Sequence, residues 1–106
     1  GDAPLVLNAD DRGVADFAAR LDAPIIWFTR YPDRPLIAGH LATGGRAACL
    51  RDGWLELREG ATARRIILAT DIPATVGGAA HHNVSNALGA MALCGELGMG
   101  DEGGEE

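Results

Sequence analysis

The sequence predicts an α/β fold: a short parallel βαβ unit, then an antiparallel three-stranded meander, then a C-terminal helix. Three observations carry this. Two apolar runs, Leu5–Leu7 and Ile25–Phe28, bracket a stretch with helical periodicity. Three further apolar runs are separated by glycine-bearing turns, and the last apolar positions recur at helical spacing. The 106 residues suffice for one small domain, and 47% apolar with 23% charged residues is ordinary for a soluble globular chain. A chain of this size buries one modest core.

Leu5-Val6-Leu7 reads as a buried strand running into Asn8-Ala9-Asp10-Asp11 at a helix start. Asp10 or Asn8 is placed to cap the first amides, and Asp11 to favour the positive end of the helix dipole. Val14, Phe17, Ala18 and Leu21 then recur at i, i+3, i+4 and i+7, and Asp22-Ala23-Pro24 stops the helix. Ile25-Ile26-Trp27-Phe28 is β-branched and aromatic without alternation, the mark of a strand covered on both faces. A strand–helix–strand unit this short implies a parallel pair with a right-handed crossover.

Tyr31 to Pro35 is a turn-rich link, and Leu36 to Leu41 a short helix or irregular segment ended by Gly44-Gly45. Ala47–Leu50, Trp54–Leu57 and Arg64–Ala69 are the meander strands, with Asp52-Gly53 as a two-residue hairpin signal and the arginines on the wet face. The final helix is expected from about His82 to Leu97, with Val84, Ala87, Leu88, Met91, Ala92 and Gly95 on one face. Residues 1–98 form the expected domain. Residues 99–106 read as an acidic, disordered Gly/Glu tail.

Charge and residue type exclude several functions. The net charge is −6 and all nine basic residues are arginine. A chain without lysine contains no P-loop lysine, Schiff-base lysine or lysine general base, and its acidity argues against nucleic acid as a partner. No apolar run approaches the ~20 residues of a membrane span, and there is no secretory leader, so the cytoplasm is the expected location. Cys49 and Cys94 are too far apart for a metal or redox motif and read as two buried small hydrophobes. His40, His81 and His82 have no Cys or acidic cluster at ligand spacing, so no metal site is expected.

No self-contained catalytic set is legible. The only serine, Ser85, lacks a nucleophile elbow, and His82 three residues before it has no orienting third group. The most specific stretch is Gly77 to Leu88, where a glycine-rich approach feeds a helix with Asn83 and Asn86 at i and i+3, on one face. An asparagine amide offers the donor and acceptor that match the N6/N7 edge of adenine. Asn83 alone reads as a helix cap. Asn86, in a helix rich in alanine and glycine, needs another partner.

Leu7-Asn8-Ala9-Asp10-Asp11, followed some seventy residues later by Gly78 to Leu88, resembles the latter part of the central ATPase domain of the Mur ligase family. Gly44-Gly45-Arg46, Leu50 to Trp54, Asp71 to Thr75 and His82 to Leu88 resemble, in order, segments of the cyanophycin synthetase type within it. The resemblance spans roughly Leu5 to Leu97. It implies that Asn86 contacts the adenine ring of ATP with Asn83 and His82 beside it, and that Asn8 to Asp11 are mostly structural. Arg12-Gly13 stands where that family commonly has a proline, and Ser85 and Gly89 where it commonly has alanine.

The same resemblance puts the family's P-loop, magnesium-binding acid and modified lysine upstream of Asn8, and its amino-acid-binding domain downstream of Leu97. ATP and Mg²⁺ are then cofactors of a parent enzyme that joins arginine to aspartate side-chain carboxylates of a polymer through an acyl phosphate. The chain alone would be inert. Two other readings stand beside this one: a non-catalytic α/β interaction module, whose open sheet edge could also make it a homo-oligomer, and part of a peptidoglycan or folate type of Mur ligase.

Overall fold

The computed structural model describes residues 4–72 and 84–94. The chain runs β1 (Leu5–Asn8), α1 (Arg12–Ala18), β2 (Ile25–Thr29), α2 (Pro35–Ala42), β3 (Arg46–Arg51), β4 (Trp54–Glu59) and β5 (Thr62–Leu68), with a single 3₁₀ turn at Ala69–Asp71. Residues 84–94 form the last helix, α3. The five strands make one sheet in sequence order, parallel for β1–β2–β3 and antiparallel for β3–β4–β5. The predicted α/β class therefore holds, with one addition. The segment at Leu36 is a true helix, and it serves as a second crossover that lays β3 parallel to β2.

Both crossovers advance the sheet in the same direction, so crossovers of one hand place α1 and α2 on the same face. Period-two alternation then sorts the side chains of each strand. Trp27, Ala47 and Cys49 face α1 and α2, meeting Ala18, Ile37 and Leu41 in one core. Ile26, Ala48 and Leu55 face the other way, meeting Leu88 and Ala92 of α3 in a second core. β2 is apolar on both faces because it is covered on both.

The Asp52-Gly53 turn explains its own sequence. Both residues have positive φ, 53° and 83°, as a two-residue hairpin matched to the sheet's twist requires. At the end of α2, the His40 ring lies so close over Gly45 that any Cβ there would collide with it. From that position Nε2 of His40 bonds the Arg46 carbonyl at 2.9 Å, fixing the entry to β3.

Several expectations are corrected. Asp11, not Asn8 or Asp10, caps α1, its side chain accepting from the Val14 amide. Phe17 is 58% exposed. The buried stripe of this short helix is Val14, Ala15 and Ala18, one position round from the predicted one. β1 is not buried, Leu5 being 40% exposed, because a strand with a neighbour on one side only keeps a solvated edge. In the meander, Arg64 and Arg65 are exposed as expected, but Glu56 is 4% exposed, held by Arg65 Nε at 3.5 Å. Residues 95–106, with the expected tail, lie outside the described residues.

Cys49 is buried as predicted and Cys94 is exposed on α3, contrary to the prediction. Burial pushes the Cys49 thiol up to about 11, although the Arg58 guanidinium pulls the other way. A thiol reagent at pH 8 should therefore titrate one group in the folded chain, Cys94, and the second only after unfolding. Cys94→Ser should abolish the native reaction, and equal reactivity of the two thiols would contradict the burial. Because Cys49 ionises near 9.0 when unfolded and about 11 when folded, its contribution to stability should fall as pH rises through that interval.

Candidate functional site

The carboxyl ends of β1 and β2 are fastened by one carboxylate. β1 ends at Asn8, whose side chain accepts from the Asp10 amide at 2.9 Å and turns the chain. Asp10 is thereby aimed across at the end of β2. Its Oδ1 accepts from the Thr29 hydroxyl at 2.5 Å and its Oδ2 from the Arg30 amide at 2.9 Å. Thr29, fully buried, passes the network on, its Oγ1 accepting from the Tyr31 amide at 2.9 Å.

Two arginines complete the arrangement. Arg34 Nε stands 3.3 Å from Asp10 Oδ1, while Arg30 Nε lies 3.9 Å from Oδ2, near enough for charge attraction only. Both guanidinium groups sit on the Tyr31 ring, at 5.2 Å for Arg30 and 5.1 Å for Arg34. That ring stiffens two otherwise mobile cations. Between the starts of α1 and α2 this leaves a cleft of about 290 Å³ with Asp10, Arg12 and Arg34 on its walls. In open α/β sheets, the carboxyl ends of parallel strands are where ligands bind.

Of the residues singled out in the sequence, Asn86 lies on α3 with its side chain exposed. His82 and Asn83 lie outside the described residues. α3 buries Leu88 and Ala92 and packs Val84, Ala87 and Met91 against the sheet, so Asn86 and Ala90, one turn apart, are left on the outward stripe. Gly89 sits against Phe28, where an added Cβ would stand 3.3 Å from the ring. The glycine lets α3 approach β2 closely, which accounts for a position where alanine was the family expectation. Asn86 is thus on the α3 side of the sheet, and the Asp10 cleft on the α1–α2 side.

Sequence reasoning placed Asp10 among cap candidates and missed Thr29, Arg30, Tyr31 and Arg34 as its partners. The signal available was the doubled aspartate itself, since one helix start uses only one cap.

These features define an open, mixed α/β domain whose parallel half carries its polar cluster at the strand ends. No protein-family model matches the chain. Among curated proteins it is similar to the cyanophycin synthetases of Trichormus variabilis, Nostoc sp. and Synechocystis sp., at 45%, 42% and 41% identity over 85 residues. That is 80% of this chain, and the chain spans only 9–10% of the length of these relatives. The chain is cyanophycin synthetase-like over that region.

Asp10→Ala should lower the unfolding free energy by about 2–4 kcal/mol in urea, because it removes charge-assisted bonds from a nearly buried carboxylate. Thr29→Val, which keeps the volume, should cost about 1–2 kcal/mol. The double variant should cost less than the sum, and strict additivity would show that the two side chains act apart.

Proposed function

We propose that this chain is part of an ATP-dependent amide ligase of the cyanophycin synthetase type, with the architecture of a Mur ligase central domain, and that Asn86 lines its adenine site. The observation that carries the reading is the 41–45% identity to proteins of that name. The exposure of Asn86 supports the finer part. A carboxamide sealed in the core could not meet a nucleotide. One held outward by a helix whose opposite face is anchored can offer its donor and acceptor to a purine edge.

In such a ligase a carboxylate takes the terminal phosphoryl group of ATP, releasing ADP. An amine then attacks the acyl carbon of the resulting acyl phosphate and displaces inorganic phosphate to leave an amide. The contribution of this chain is binding and orientation. Leu88 and Ala92 fix the rotation of α3 and hence the direction of Asn86, and Gly89 against Phe28 fixes its depth. With no lysine in the chain, a phosphate-binding P-loop lysine would have to come from another segment of such a ligase. The amine is taken to be arginine and the carboxylate an aspartate side chain of a polymer, as the resemblance implies. ATP and the amino-acid and polymer substrates are the expected partners.

In the longer enzyme, Asn86→Ala should raise KM for ATP about tenfold while changing kcat by less than threefold, as expected when one neutral hydrogen bond is lost from ground state and transition state alike. Steady-state kinetics at saturating amine and polymer measure this. Unchanged nucleotide kinetics would remove Asn86 from the adenine site.

A further inference from the structure

The cleft at the ends of β1 and β2 has no part in the adenine reading, and its charge is unbalanced. Asp10, 11% exposed, has both oxygens engaged by Thr29, Arg30 and Arg34 and cannot neutralise a further cation. Asp11 is turned onto the Val14 amide at the start of α1. On the cleft wall, Arg12 is exposed and forms no ion pair among the described residues. Arg34 pairs through Nε alone, leaving its two terminal nitrogens as donors on a side chain 44% exposed.

Of the two arginines, Arg34 is preorganised, while Arg12 is exposed and without an ion pair among the described residues. Arg34 is held from one side by Asp10 and from below by the Tyr31 ring, so its fork is aimed before any ligand arrives. Arg12 starts α1 on the other wall. The floor between them is apolar, formed by Ala9, Ala15 and Leu36. Two arginines lining one small, partly apolar cleft match the chemistry of an oxyanion, whose oxygens accept from guanidinium donors.

We propose that this cleft binds a small molecule through a carboxylate or phosphate group held between Arg12 and Arg34. Its volume of about 290 Å³ admits a ligand of amino-acid or phosphate-ester size. Asp10 is the positioning residue, acting through Arg34. The proposal does not depend on the adenine reading, since Asn86 is on the other side of the sheet.

The test is a titration of the isotope-labelled 106-residue chain, followed by amide and arginine Nε resonances, with inorganic phosphate and separately acetate at constant ionic strength. Saturable shifts confined to Asp10, Arg12, Arg34 and Leu36 are expected with at least one of the two. Saturation by phosphate alone assigns a tetrahedral group, and by acetate alone a carboxylate. Arg12→Gln, at an exposed position that leaves the Asp10 network intact, should weaken binding about tenfold, with Arg12→Lys intermediate. Non-saturating shifts spread over surface arginines such as Arg65, or equal affinity in Arg12→Gln, would overturn it.

Discussion

The Asp10 carboxylate is the constraint on which the parallel half of the sheet rests. Antiparallel neighbours are tied by a turn of two residues, whereas β1 and β2 meet only after a helix has intervened, and nothing covalent nearby holds their ends together. The carboxylate supplies that tie, receiving a hydroxyl and an amide from the end of β2 and a guanidinium from the start of α2. Strand β1, helix α2 and the Tyr31 ring are all located relative to this one group. The geometry that closes the strand ends also aims Arg34, so stability and recognition chemistry share a residue.

The sheet has two cores of different construction. Against α1 and α2 the contacts are made by one large ring, Trp27, surrounded by small and aliphatic side chains. Against α3 they are made by aliphatic residues from all five strands, with the Phe28 ring set against Gly89. Because the second core reaches across to β4 and β5, α3 joins the antiparallel half to the parallel half, and the outward direction of Asn86 is inherited from that packing.

Much of the fold was legible because its signals are local. Short apolar runs, the Asp52-Gly53 turn and the spacing of Val84, Leu88 and Ala92 each state their structure within a few residues. What was not legible depends on residues distant in the chain. Phe17 follows the helical period yet faces outward, since which stripe of α1 is buried is settled by the sheet beneath it. Cys94 follows the apolar period of α3 and is nonetheless exposed. Glu56 looks like a solvated charge until β3 and β5 flank it. The Asp10 network joins positions nineteen and twenty residues apart to one carboxylate, and a doubled aspartate cannot reveal which of the two looks back across the sheet. Asn86 was singled out by its motif, and the structure adds that it is exposed on α3, while the cleft lined by Arg12 and Arg34 came into view only when two helix starts were seen side by side.

The mixed sheet also imposes an order on its own assembly. β3, β4 and β5 are joined by turns of two residues, so their pairing closes short loops and needs little chain entropy to be given up in advance. β1 and β2 find each other only across α1, and β2 and β3 only across α2, so the loops closed there are several times longer. The hairpins therefore close the shortest loops, and β1 joins the sheet only across a longer one. The Asp10 clasp sits at that longer-range seam, where a ligand bridging Arg12 and Arg34 would slow local opening without altering the hairpins at all.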